Sequence, residues 1–390
     1  MNKELKLSAA ASTLRPSVFA TLADRLKSLP PEGLPLHIGD TYRLPPEPAR
    51  LERIHWAAYP GLYKYTHPFG NEDLLAALAG KLQVKNGMAA TPACLQITCG
   101  ATHALSCTAL TLLDPGDEVL ILGPFWPLIL GVVRATGAVP VQVPYTSLLL
   151  RQPELPPAQL LQPHLTERTR ALYFANPNNP DGMVYTREQL QSLADFCRGH
   201  DLCVISDEAY EDYLYDGREH ISIASLPGMF ERTFTSFTFS KSYAMAGLRL
   251  GYVVAPADAM VRLRRVANHT VYNISCALQA AGLAALREGD DFLLESRRLY
   301  QPARDELAGA LHGLSPVPHG GAYCFLELES EETAWKFLHR ALDLGLATAP
   351  GEAFGEHFRH CLRICFTAAP LEGVERAART LVRVREEMGC

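Results

Sequence analysis

The spacing of apolar and polar positions changes period several times along the chain, and each change marks an element. Phe19, Leu22, Ala23 and Leu26 fall on one face of a short helix over roughly Ser17–Leu29. Leu74, Leu75, Leu78 and Leu82 give a longer helical stripe after Gly70. Leu95–Thr98 is strand-like and turns through Gly100 into a helix that runs to about Leu113. A turn at Pro115-Gly-Asp leads into an apolar strand ending at Leu122, and Ala171–Asn176 and Leu202–Ser206 are further strands. Between those two, Thr186-Arg-Glu-Gln189 is a capping box, and Leu190, Leu193, Ala194 and Cys197 form the helical stripe behind it. Strand–helix alternation over about residues 45–285 predicts a mainly parallel, doubly wound sheet flanked by helices. Beyond residue 286 the pattern shifts to a charged helix over Glu288–Leu311, a strand-like Gly320–Glu327, an alternating Leu362–Phe366 and a final helix from about Leu371. The predicted division is therefore α/β: an N-terminal arm, 1–44, joining a smaller α+β domain, 286–390, beside a large domain, 45–285.

Composition changes this picture little. The chain has 390 residues, 48% apolar and 20% charged, which is globular and long enough for one large and one small domain. A formal charge of -6 gives no footprint for nucleic acid or a membrane surface. The ten cysteines include no Cys-x-x-Cys pair, so neither a zinc site nor a disulfide framework is expected, and a reduced, cytoplasmic setting fits. Met1–Leu14 is polar and small, unlike a secretory signal. The longest apolar run, Val119–Val133, is interrupted by Gly123, Pro124, Pro127 and Gly131 and is too short to span a bilayer.

Chemistry concentrates in Ser236–Tyr252. Lys241 stands between Ser240 and Ser242 among aromatic and small residues, and Arg249 follows between Gly247 and Gly251. A lysine so placed shifts its pKa readily and can form a Schiff base with an aldehyde. Serine and threonine hydroxyls with an arginine suit a phosphate. An aldehyde and a phosphate together describe pyridoxal 5'-phosphate. The turn through Gly100 into a helix is a second anion site, because free N–H groups converge there, although a glycine turn can equally be structural. Asp207 lies at the carboxyl end of a buried strand, where a carboxylate needs a cationic partner. Pro124-Phe-Trp126 lies at another strand end, where open α/β sheets bind ligands.

These motifs resemble the class I/II aminotransferases, the fold type I enzymes that use pyridoxal phosphate. The resemblance rests on Thr238-Phe-Ser240-Lys241, Gly247-Leu-Arg249-Leu-Gly251, Asn176-Pro-Asn-Asn179-Pro-Asp-Gly182 and Asp207-Glu-Ala-Tyr210, and it spans nearly the whole chain. It implies that Lys241 carries the cofactor and that Asp207 pairs with the ring nitrogen. Tyr210 and Asn179 would bond the phenolic oxygen, and Trp126 would stack on the ring. Gly100, Ala101, Thr102, Thr238, Ser240 and Arg249 would hold the phosphate, joined by Tyr65 from a partner subunit. Ile38, Gly39, Asn179 and Arg363 would line the substrate site, with Arg363 on the α-carboxylate. Read from alternation alone, Arg363 is instead a solvent-facing strand residue. The family usually has Glu-Pro after the glycine, whereas this chain has Asp40-Thr41.

The resemblance implies an aminotransferase that moves an amino group from an L-amino acid to a 2-oxo acid, acting as a homodimer with shared sites. Related reactions, a carbon–sulfur β-lyase or a decarboxylase, draw on most of the same residues. A cofactor-binding regulator would need a DNA-binding segment, for which there is neither spare length nor a basic helix-turn-helix. Asn268–Gln279 holds no arginine or lysine, which favours neutral or aromatic amino donors over aspartate.

Overall fold

The computed structural model describes residues 8–14, 16, 18–59, 61–152 and 154–389. Seven strands among them form one sheet: β1 (Leu95–Thr98), β2 (Glu118–Leu122), β3 (Val139–Val143), β4 (Thr169–Ala175), β5 (Cys203–Asp207), β6 (Thr233–Thr238) and β7 (Gly251–Val254). Their spatial order is β1-β7-β6-β5-β4-β2-β3. The pairings from β3 through β6 are parallel, while β7 runs antiparallel to both β6 and β1. Every residue of β1, β2, β6 and β7 is buried, as expected when helices cover both faces of a sheet. The chain winds one way from β2 to β3 and the other way from β4 to β6, so the crevice outside the strand ends opens beside β4.

Two helices matter most for the site. Glu72–Lys85 is capped by the Asn71 side chain, which accepts from the Asp73 amide, and it buries Leu74, Leu75, Leu78 and Leu82. Gly100–Leu112 begins directly after β1. The predicted capping box at Thr186 is present at the head of Arg187–Gly199.

A second sheet, β8 (Tyr323–Glu327), β9 (Ala349–Pro350) and β10 (Cys361–Cys365), is antiparallel with β10 in the centre. The helices Asp290–Ala310, Glu331–Asp343 and Leu371–Met388 contribute Leu307, Phe337 and Leu381 to its core. The N-terminal segment belongs to the same core. Leu36 is buried within it, its carbonyl accepts from the Cys365 amide at 2.8 Å, and Leu34 bonds to Gly345 at 2.8 Å.

Two local expectations are corrected. The helix predicted over Ser17–Leu29 is a 3-10 turn, Val18–Leu22, followed by the short helix Ala23–Lys27. Pro30 and Pro31 cannot extend it. Ser17 and the side chain of Phe19 lie outside the described residues. In β10 the alternation does not separate core from solvent. All five residues are buried, because β8 and β9 flank the strand and Phe354 and Tyr323 cover its second face; Arg363 is only 6% exposed.

Candidate active site

β6 delivers the lysine. It ends at Thr238, whose Oγ1 accepts from the Ser240 amide at 3.1 Å and so caps the one-turn helix Phe239–Ser242. That turn lifts Lys241 above the sheet. Its Nζ donates to the Gly39 carbonyl and stands 5.9 Å from the centre of the Tyr210 ring. Burial lowers the pKa of the ammonium, opposed by the charge of Asp40. The lysine's own carbonyl accepts from the Tyr213 hydroxyl at 2.5 Å.

Beside it is an anion cradle. Gly100 opens its helix at φ +71°, and a Cβ there would lie 2.5 Å from Nη2 of Arg249. Arg249 itself sits at φ +51° and donates from Nη1 to Ala246 O at 3.0 Å and to Ser240 Oγ at 3.3 Å. Thr238 Oγ1 donates to Ser240 Oγ at 2.8 Å. A guanidinium, two hydroxyls and the N-terminus of the helix Gly100–Leu112, with Ala101 and Thr102 in its first turn, thus converge where only glycine leaves room. This donor set suits a phosphate.

The ends of β4 and β5 supply the opposite charge. Asp207 is buried, and burial pushes its carboxyl up to about 6. It accepts from the Tyr173 hydroxyl and from the Ala209 amide, both at 3.2 Å. Among the described residues no cationic side chain bonds it. Three residues on, the hydroxyl of Tyr210 meets that of Tyr323 at 2.5 Å.

The small sheet closes the site. The Arg363 guanidinium lies 4.1 Å from the Tyr323 ring centre and 4.8 Å from that of Phe354. It donates to Asn179 Oδ1 at 3.0 Å and to the His37 carbonyl at 2.8 Å, and among the described residues its buried Nε has no partner. Gly39 is more than a turn glycine, since a Cβ there would come within 2.2 Å of the Tyr323 hydroxyl.

The structure therefore brings together Gly39, Gly100, Asn179, Asp207, Tyr210, Thr238, Ser240, Lys241, Arg249 and Arg363. Ile38 is half exposed beside Gly39, and Trp126 is half-buried against the core under β2. Tyr65 stands apart. It is 83% exposed, and its ring packs against Tyr272 at 5.2 Å. Sequence reasoning missed Tyr173, Tyr213, Tyr323 and Phe354. The only local signal was Gly320-Gly-Ala-Tyr323, a pair of glycines ahead of an aromatic at the start of a strand.

An open α/β sheet whose strand ends gather a buried lysine, an anion cradle and an uncompensated aspartate defines an enzyme acting on an anionic, carbonyl-bearing group. Residues 31–381 match the model of the family "Aminotransferase class I and II". A bifunctional aspartate aminotransferase and glutamate/aspartate-prephenate aminotransferase of Petunia hybrida is 32% identical over 411 residues, covering 98% of this chain and 84% of that protein. An aromatic-amino-acid aminotransferase of Thermococcus litoralis is 35% identical, covering 84% of this chain and 85% of its own. The solved aspartate aminotransferase of Thermus thermophilus with maleate superposes with a TM-score of 0.87 at 30% identity, covering 98% and 100% of the two chains. The chain belongs to the class I and II aminotransferases, and its fold is the fold type I architecture of that family. It is an enzyme that transfers amino groups between small molecules. No helix among the described residues is long and apolar enough to cross a membrane.

Proposed function

We propose that this aminotransferase works with pyridoxal 5'-phosphate, seated across the ends of β5, β6 and β7. The observation that carries the reading is the register of these strands. Asp207 pairs with Ser236, and Thr238 pairs with Gly251, so the aspartate, the lysine and Arg249 meet at one edge of the crevice. When bound, the cofactor supplies an aldehyde that accepts the amino group and a ring that draws electrons from the substrate α-carbon.

The chain's own residues do the rest. Arg249, Ser240, Thr238 and the amides at Gly100–Thr102 hold the phosphate. Asp207, buried without a cation of its own, keeps the ring nitrogen protonated. Tyr210 and Asn179 orient the phenolic oxygen, and Trp126 covers the ring. The Lys241 amine, its pKa lowered by burial, would anchor the aldehyde and is placed to take and return the proton at the substrate α-carbon. Arg363 would present a planar guanidinium to the α-carboxylate, packed close to two aromatic rings.

The working unit in this proposal is a homodimer. Leu44, Tyr63 and Tyr65 are exposed large side chains close in sequence, and Tyr65 would complete the phosphate site of the partner. Residues 1–44 and 286–390 would move together as the small domain against 45–285. The favoured donors are neutral or aromatic amino acids.

The test is a single-turnover screen without acceptor. An aminotransferase releases about one 2-oxo acid per site from an amino acid and stops, because the amino group stays with the enzyme. Continued release of product from the amino acid alone would point to a lyase instead.

A further inference from the structure

Four carboxylates lie within six residues at the end of β5: Asp207, Glu208, Glu211 and Asp212, all buried. Only Asp207 takes part in the proposed reaction. The other three belong to a polar cluster beneath the loop. Lys81 and Lys85, one turn apart on the helix Glu72–Lys85, point inward to meet it.

Lys81 Nζ donates to Glu211 Oε1 at 2.5 Å and to the Tyr252 hydroxyl at 3.1 Å, and it lies 4.5 Å from the Phe237 ring centre. Glu211 is buried and Lys81 mostly so. Lys85 bonds Asp212, and Asn86 Nδ2 donates to Glu211 Oε2 at 2.8 Å. Burial pushes the Glu211 carboxyl up, but Lys81 and Lys85 outweigh it and hold the group below its ordinary range. Glu208 makes no ion pair with a lysine among the described residues. It accepts from Ser206 at 3.0 Å and Ser222 at 2.6 Å, with His220 3.5 Å away.

The loop between these anchors is tight. The Glu211 amide donates to Glu208 O at 3.2 Å and the Tyr213 amide to Tyr210 O at 2.9 Å. Glu211 directly follows Tyr210, and Tyr213 reaches the carbonyl of Lys241. A shift of Glu211 therefore moves Tyr210 and, through Tyr213, the turn that carries the lysine.

We infer that Lys81 is a positioning residue: through Glu211 it sets the 207–213 loop so that Asp207, Tyr210 and Lys241 face the cofactor together. The inference rests on the proposed use of pyridoxal 5'-phosphate. It differs from a plain stabilising role in one respect. A buried ion pair replaced by apolar residues on both sides commonly keeps or regains stability, whereas loss of one partner leaves a buried charge. The Lys81–Glu211 tie is lost in either case, and the Lys85–Asp212 bond alone then holds the far end of the loop.

The experiment compares wild type, Lys81→Met and the double variant Lys81→Met/Glu211→Met. Cofactor-free protein is titrated with pyridoxal 5'-phosphate by absorbance, and thermal midpoints are measured on the same samples. Lys81→Met should lower the midpoint and the double variant should recover it. Both should bind the cofactor about tenfold or more weakly than wild type, a loss of about 1.4 kcal/mol from the contacts of the displaced loop. Wild-type affinity in the double variant, or affinity that simply follows the midpoint, overturns the inference. If Lys81→Met does not fold, the double variant alone decides. A wild-type protein that takes up no cofactor overturns the functional reading itself, and this inference with it.

Discussion

Arg363 donates from Nη1 to Asn179 Oδ1 across 3.0 Å, tying the central strand of the small sheet to the loop that follows β4 of the large one. The residue assigned to the substrate carboxylate thus touches a residue assigned to the cofactor, and a substrate that engages Arg363 is felt at Asn179 directly. Two aromatic rings pack close to the guanidinium, and replacement by lysine loses both the planar cation and its forked donors.

The first prediction follows. Arg363→Lys should lower kcat/KM for any amino donor by about 10²-fold, on the order of 3 kcal/mol. Cofactor affinity should fall far less, by no more than about tenfold, since the Arg363–Asn179 hydrogen bond is the link from this side chain to the residues proposed for the cofactor. Steady-state kinetics together with a cofactor titration check both. A variant that loses cofactor and keeps its KM would place Arg363 in the wrong role.

Lys241 is predicted to be the single covalent anchor. Borohydride reduction of the cofactor-loaded enzyme should fix the pyridoxyl mass on the peptide containing Lys241, and Lys241→Ala should take up cofactor without any such adduct. The variant should lose more than about 10²-fold in turnover, the scale of a positioned acid–base group. An adduct on another lysine with turnover retained would move the assignment elsewhere.

How far the sequence revealed these residues depends on how local each signal is. Thr238-Phe-Ser240-Lys241 is legible because a strand end, a cap and a lysine are consecutive. Asp207 is legible because a carboxylate that closes an apolar run is buried with the strand and must find a cation there. Tyr173, Tyr213 and Tyr323 are not, since their roles arise from register and approach. Tyr173 lies two residues before Ala175, the partner of Asp207 in the β4–β5 ladder, and no pattern within β4 announces that. Arg363 shows the converse failure. Its alternation with Leu362 and Ile364 is real, but alternation implies a wet face only when one face of the sheet is open. Here both are covered.

Asp207 also predicts a pH dependence. Its folded carboxyl titrates near 6, above the ~3.9 of an unfolded chain. The folded state therefore holds the extra proton between those values, and this group's contribution to stability is lost as pH rises through them. In cofactor-free protein, Asp207→Asn should gain stability over wild type between about pH 4 and 6, by ~3 kcal/mol at most, and level off above about pH 7. Denaturant unfolding of both proteins across that range measures the difference. A constant difference would mean that Asp207 ionises as an ordinary carboxylate. The same variant, loaded with cofactor, should lose most of its turnover.

Assembly can be read from Tyr65. If it completes the phosphate site of a neighbour, the active species is a dimer, and Tyr65→Phe should weaken cofactor binding several-fold, as loss of a hydrogen bond to a charged group does. Sedimentation of active enzyme at assay concentration is the direct check. A fully active monomer would refute the shared site.

Substrate choice is the last prediction, and it turns on where the cations are. A distal carboxylate, as in aspartate, needs a charged partner, or its desolvation costs a few kcal/mol. Asn268–Gln279 offers none beyond His269, whose Nδ1 is engaged with the Arg265 carbonyl at 2.8 Å. Arg264, in helix Ala257–Thr270, is committed elsewhere. It donates to Pro92 O and Leu95 O, both at 2.9 Å, and its guanidinium lies 4.0 Å from the Phe69 ring centre. Of the residues proposed for the pocket wall, Ile38 is half exposed beside Gly39 and Trp126 is half-buried, and both are apolar or aromatic. A neutral or aromatic side chain gains from covering these surfaces at about 25 cal/mol per Å², and a carboxylate does not. Values of kcat/KM for methionine, leucine, phenylalanine and tryptophan should therefore exceed that for aspartate. Glutamate can still serve as the co-substrate where the pocket rearranges around it. An aspartate lead of about tenfold, or 1.4 kcal/mol, would require a cation facing the mouth and would sink the argument.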